Sequence, residues 1–572
     1  MDFDLVIRGG VVVDGTGAER RDADVGVADG RIAAVGRDLG RGAEEIDAKD
    51  RIVAPGFVDI HTHYDGQATW ASRMNPSSLH GVTTVVMGNC GVGFAPCRAD
   101  DHDRLIKLME GVEDIPFPVL AEGLPWNWES YPDYLDALSA RAFDVDIASQ
   151  LPHAAVRVFV MGERGSEREP ATSRDIEAMG VIAERAAAAG ALGFSTSRTL
   201  NHRTSEGKPT PTLTAGEDEL TGIALGLKRA GAGVLQVVSD FADEEIEFAM
   251  LRRIVERSGR PLSFTLVQSP IKPQSYKLLL SALEDAVAAG LPMKAQVAPR
   301  PVGVLLGLEL TVNPFTHYGP YKEIARLPLA ERVERLRDPA FRERLFAGAP
   351  QGGVRGAGAS WARMHLMDPQ RPDYEPGPET TVAATAQARG REPAEVALDH
   401  MLERGGRGML YVPFLNYAEG TLDPALAMLV HPHTVPGLSD GGAHVGMICD
   451  GSFPTTLVTH WTRDRARGGR LALEEAIRMQ TRDTALTVGL ADRGVIAPGY
   501  RADLNLIDYD RLAAHSPTVV YDLPSGGRRL EQKASGYAAT IVAGALTYRD
   551  GEPTGNLPGR LVRGAQPAPA IS

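Results

Sequence analysis

Three short stretches of the chain carry residues whose types and spacing suit hydrolytic chemistry. In GFVDIHTHYDG, His61 and His63 lie two apart at the close of an apolar run that follows Pro55-Gly56. If the run is a strand, its period of two puts both imidazoles on one face. Two neutral imidazoles side by side form a natural metal-binding pair. Either histidine alone would more often be structural; together they read as ligands. In GVTTVVMGNCGVG, a second apolar run ends at Asn89-Cys90-Gly91. Glycines around Cys90 permit close backbone approach. Cys90 stays open between two readings, a small buried apolar residue and a ligand thiolate. In HPHTVPGLSDGGAHVGMICDG, Asp440 ends a third short run. A carboxylate there can bind a metal and also take a proton from water, combining two catalytic roles. The competing reading is an Asx turn before Gly441-Gly442. His444 follows on the same loop, where it could orient substrate or Asp440.

These residues need strands to hold them. Short apolar runs alternate with helical patterns through the centre of the chain, the rhythm of a parallel β/α fold. Candidate strands are 57–60, 82–87, 146–151, 193–195, 234–238, 262–267, 293–297 and 435–438. Eight is the number that closes a β/α barrel. Between the last two, PAEVALDHMLERGG has a helical stripe from Ala394 to Leu402, with Pro393 suited to its start and Gly405 to its end. The expected fold is thus α/β, a TIM-like (β/α)8 barrel over 56–490. Residues 308–380 form an inserted subdomain or lid, because so long a loop is usually functional or disordered. The first 55 residues read as short strands around the tight turn Asp29-Gly30. They need partners, and strand-like runs near the other end supply them. A small β-sandwich is therefore expected from 1–55 plus 491–552, followed by a frayed tail at 553–572.

Composition narrows the function. The 572 residues are 43% hydrophobic and 23% charged, which excludes a largely disordered chain. Lys+Arg 60 against Asp+Glu 74 gives −14, which argues against a broad nucleic-acid surface. No run approaches the roughly 18 apolar residues of a membrane span, and the first residues are acidic where a secretory signal would be basic. Three cysteines cannot make a disulfide framework. A reducing, cytoplasmic setting follows as the expectation.

The chain resembles the metal-dependent amidohydrolase superfamily and, within it, the N-acyl-D-amino-acid deacylase (D-aminoacylase) group. DLVIRGGVVVDGTG, IVAPGFVDIHTHYD, HGVTTVVMGNCGVG, GALGFSTS, GLSDGGAH and RGVIAPGYRADLNLID carry the resemblance along most of the chain. It implies a barrel with a small β-sandwich, and a metal-ligand role for Cys90. The group also carries a histidine near the end of strand five and another at strand six. Here the matching stretches, GVLQVVSDF (233–241) and LSFTLVQSP (262–270), have neither. Asp240 and Gln268 are the nearest candidates for the vacated space, although glutamine is a poor zinc ligand. The ligand set then reads His61, His63, Asp440 and Cys90, holding one zinc ion rather than two. The residue types do not separate zinc from other divalent metals.

The expected activity is hydrolysis of a C–N amide bond, most simply deacylation of an N-acyl (D-)amino acid, with Asp440 as general base and acid. The expected partner is a small amide carrying a carboxylate. Arg300 after strand seven and Arg198 after strand four are candidates to bind that carboxylate with their planar forks. His153, closing strand three, and His444 are further substrate-contact candidates. Homo-oligomerisation is left open. Rival readings are a cyclic-amide, carbamate or ester hydrolase of the same fold, and a non-catalytic scaffold that would hold no metal.

Overall fold

The computed structural model of the chain describes residues 3–348 and 360–570. Its centre is a parallel sheet of eight strands: β1 (Phe57–Asp59), β2 (Val82–Met87), β3 (Asp146–Pro152), β4 (Gly193–Arg198), β5 (Val234–Ser239), β6 (Leu262–Leu266), β7 (Met293–Val297) and β8 (Thr434–Pro436). They neighbour one another in chain order. Nearly all their residues are buried, as expected where helices cover one face and the barrel interior the other. The ring closes between its first and last strands just beyond their ends. Thr62 bridges Gly441 in parallel, the His63 N–H donates to the Gly441 carbonyl at 2.7 Å, and the Asp440 N–H donates to the His61 carbonyl at 3.1 Å. The Ser439 hydroxyl adds bonds to the Asp59 carboxylate at 2.5 Å and the His61 carbonyl at 3.1 Å.

Both chain ends join in one nine-stranded sheet, in which Ile52–Pro55 pairs antiparallel with Leu504–Ile507. Leu5, Ile7, Val25, Leu504, Leu506 and Ile541 share its core. These strands could not be buried separately, because each half leaves an apolar face bare.

Three expectations about organisation are corrected. The insertion is wider than 308–380. It starts and ends on an antiparallel ladder between Val302–Leu306 and Leu410–Leu415, to which His365–Leu366 adds a third strand. Part of the expected lid, residues 349–359, lies outside the described residues. The helix at Pro393–Gly406 is not a barrel helix. Its Val396, Leu398 and Met401 pack with Val304, Leu410 and Val412 in the insertion's own core. The closing segment is not frayed either. The Val562 N–H donates to the Ile147 carbonyl at 2.8 Å, Gly559 bonds Phe143 in both directions, and Leu561 is buried. Its last two residues lie outside the described part. Among the described residues, no helix is long and apolar enough to cross a membrane.

Candidate metal centre and active site

The carboxyl ends of the barrel strands bring four sequence-predicted residues together. His61 and His63 project from the extension of β1, and both side chains are about 1% exposed. Cys90 follows β2. Its φ of 54° is unusual for a residue with a side chain. Gly88 before it has φ of 80° and lies so close to β3 that an added methyl would fall 2.1 Å from the Gln150 carbonyl oxygen. Only glycine permits that approach. Asp440 follows β8, also with positive φ (49°), as does His444 (50°). Such conformations are held in place by surrounding structure and cluster at functional sites.

The donor atoms converge. His61 Nε2 lies 3.2 Å from Cys90 Sγ and 3.3 Å from Asp440 Oδ1, and His63 Nε2 lies 3.5 Å from the same oxygen. Donors of His61, His63 and Cys90 all fall within 4.8 Å of one another. A tetrahedral zinc site has ligand-to-ligand edges of roughly 3.3–3.8 Å, given its bond lengths. The spacing fits. The chemistry fits as well: Asp440 Oδ1 is buried without a hydrogen-bond partner, as a group awaiting a cation would be. Gln296 Oε1, from β7, accepts from His61 Nδ1 at 2.8 Å, and Gln296 is itself bonded to Ser263 at 2.9 Å. A carbonyl at Nδ1 requires the proton there, which leaves the Nε2 lone pair facing the site.

Electrostatics favour the neutral rings that a metal needs. Burial lowers the His61 pKa to about 4 and that of His63 to about 3. Burial, then the charges of Asp440, Glu113 and Asp65, push the Cys90 thiol well up. Burial raises Asp440, against the opposing pull of His61 and His444.

Two further residues stand at the site. Glu113, about 1% exposed, ends the helix α1 (His102–Glu113), with Oε1 3.2 Å from His63 Nδ1 and Oε2 3.7 Å from His444 Nε2. His202, after β4, is held by Ser197 Oγ at 2.9 Å. Burial and the nearby His444, His63 and His61 lower its pKa to about 3. His444 Nε2 lies 4.0 Å from Asp440 Oδ2.

Three substrate-contact candidates are corrected. Arg300 is about 1% exposed, bonds Asp450 at 2.7 Å and the Cys449 carbonyl at 2.8 Å, and lies under the Tyr374 ring at 3.5 Å. Arg198 pairs with Glu247. His153, wholly buried, bonds Thr196 and Glu219, each at 2.8 Å. No hydrogen bond or ion pair joins any of the three to the histidine–cysteine–aspartate group among the described residues. Nor do Gln268 and Asp240 fill the vacated space. The Gln268 side chain accepts from the Ala418 N–H at 3.1 Å and donates to Glu419 at 3.3 Å, while Asp240 accepts from the Thr199 hydroxyl and the Leu200 N–H at 2.5 and 2.8 Å.

The chain is similar to known proteins along nearly its whole length. A model of an amidohydrolase family matches residues 44–548. The D-aminoacylase of Alcaligenes xylosoxydans xylosoxydans is 29% identical over 570 residues, 98% of this chain and 97% of that protein. The N-acyl-D-aspartate deacylase of the same organism is 28% identical over 568 residues, 98% and 95% of the two chains. A crystal structure of D-aminoacylase, described as having a binuclear metal center, superposes with a TM-score of 0.65 at 26% identity, covering 98% of this chain and all of that one.

Proposed function

The chain belongs to the amidohydrolase family, and from that premise we propose that it is a metal-dependent hydrolase that deacylates N-acyl amino acids, with preference for the D configuration. The observation that carries the reading is the convergence of His61, His63, Cys90 and Asp440 on one small space, with Asp440 Oδ2 turned to His444 rather than to those ligands. The deacylase names of the relatives support the substrate class.

These four residues would hold one divalent metal, zinc being the best match to a sulfur, nitrogen and oxygen set. When bound, the metal supplies Lewis acidity to the amide carbonyl and lowers the pKa of water. Asp440 takes the proton of the attacking water at Oδ2 and delivers it to the leaving nitrogen. Burial already raises its proton affinity, which suits a group that must both accept and return a proton. His444 is placed to hold Asp440 and the substrate at the open side of the site. Gln296 keeps His61 in the ligating tautomer.

The test combines metal analysis with a substrate panel of N-acyl-D-, N-acyl-L- and cyclic amides. We expect close to one metal per chain and fastest turnover of N-acyl-D-amino acids. Asp440→Asn should keep the fold and lose about 10²–10⁴-fold in kcat/KM. Full activity in that variant would defeat the mechanism, and activity confined to cyclic amides would defeat the substrate assignment.

A further inference from the structure

Glu113 has no part in the reaction above, yet it lies inside the site. It is about 1% exposed, and neither carboxylate oxygen meets the alignment of a hydrogen bond among the described residues. Leaving a buried carboxylate so is costly, so the fold must hold it there. It does so from two sides. On α1, Ile106, Met109 and Glu113 share one face with i, i+3, i+7 spacing, so the stripe that anchors the helix also delivers the acid. Just past the helix, Asp114 turns back with φ of 53° and accepts from the Gly446 N–H at 3.1 Å and the Thr311 hydroxyl at 2.8 Å. Gly446 follows His444 closely on the loop after β8. A methyl on Gly446 would meet Thr311 Oγ1 at 2.2 Å and Asp114 Oδ2 at 2.9 Å. The helix end and the His444 loop are thereby pinned together. Glu113 stands between His63 and His444, 3.2 Å from Nδ1 of one and 3.7 Å from Nε2 of the other.

We propose that Glu113 is the positioning carboxylate of the metal site: Oε1 holds His63 by its Nδ1–H so that Nε2 faces Asp440, and Oε2 draws His444 over Asp440. The inference rests on the metal reading above. A carboxylate behind a ligating imidazole fixes the ring's tautomer and orientation and makes its other nitrogen a stronger donor. Loose contacts of this kind tighten when a site is loaded. Glu113 does not touch the reacting atoms; it acts through the two histidines.

The experiment uses full-length wild type, Glu113→Leu and Glu113→Gln. Zinc affinity is measured by chelator competition, the cobalt(II) absorption bands by titration with cobalt alone, and Tm on the metal-free proteins. We expect Glu113→Leu to bind zinc 10–100-fold more weakly with displaced cobalt bands. Its metal-free Tm should be unchanged or higher, since an apolar group replaces an unpartnered buried carboxylate. Glu113→Gln keeps a neutral acceptor and should recover part of the affinity. Wild-type zinc affinity and cobalt bands in both variants would overturn the proposal while leaving the metal reading intact. So would a weakening in Glu113→Leu that merely tracks a fall in its metal-free Tm and is not rescued by glutamine. A wild-type chain that takes up neither metal overturns the metal reading and this proposal with it.

Discussion

The paired histidines are equivalent in the sequence and unequal in the structure. His61 is backed by a neutral amide, Gln296 at 2.8 Å, and His63 by the carboxylate of Glu113 at 3.2 Å. The amide still has to do the orienting for its own ring. Gln296→Leu is therefore expected to weaken zinc binding about 10–100-fold with a smaller effect on Tm, as followed by chelator competition and thermal melts. The pair itself was legible, because alternation along a strand fixes which way both rings point. Asp440 was legible because it closes the last short apolar run. Cys90 was undecided from its residues alone, since a thiol at a strand end is equally a packing residue; its Sγ lies 3.2 Å from His61 Nε2, which supports the ligand reading. Glu113 was missed because it sits on a helix, away from every strand end. One signal existed: an acid on the apolar stripe of Ile106 and Met109. Arg300 was misread for the opposite reason. A strand-end arginine looks solvent-facing until Tyr374 of the insertion is seen to cover it.

At the scale of elements, the barrel strands were readable as unbroken apolar runs because both their faces are covered. The insertion's limits were not, because its first and last strands pair antiparallel across more than a hundred residues and nothing local marks that pairing. The turn after β2 gives a sharper test of how elements set the site. Gly88→Ala faces both a left-handed φ of 80° and a carbonyl oxygen 2.1 Å from the new methyl. Gly259 has a φ of 66° and nothing within 4 Å. Gly259→Ala should cost about 1–2 kcal/mol, the conformational penalty alone. Gly88→Ala should cost about 3 kcal/mol or more, and should also weaken zinc binding by moving Cys90. Equal melting shifts in the two variants would contradict this account of the β2–β3 contact.

The whole molecule is held by ties between parts that are far apart in sequence. Glu375, on the insertion, accepts from His460 at 3.0 Å and from Arg465 at 3.0 and 3.1 Å, beyond the last barrel strand. Burial works to raise its pKa, but the bonds from His460 and Arg465 outweigh it and hold it at about 2, below the ordinary 4.5. A depressed carboxylate contributes stability that is complete above its unfolded value and fades as pH falls toward the folded one. The contribution, about 3 kcal/mol, should therefore be lost between about pH 4.5 and 2. Glu375→Gln should flatten that part of the stability profile in denaturant titrations run at successive pH values; an unchanged slope would show that the tie carries no such weight.

The seam of the barrel runs through the metal site. Ser439 bonds the His61 carbonyl across 378 residues of chain, and Asp440 is the next residue along. A polypeptide still emerging from the ribosome can expose the histidines and the cysteine long before the aspartate exists. Bringing the last of these side chains to them requires the ring to close across 378 residues, a costly long-range contact. A chain that has not closed its ring has therefore not brought Asp440 to His61, His63 and Cys90, so the proposed site and the closed barrel form together or not at all.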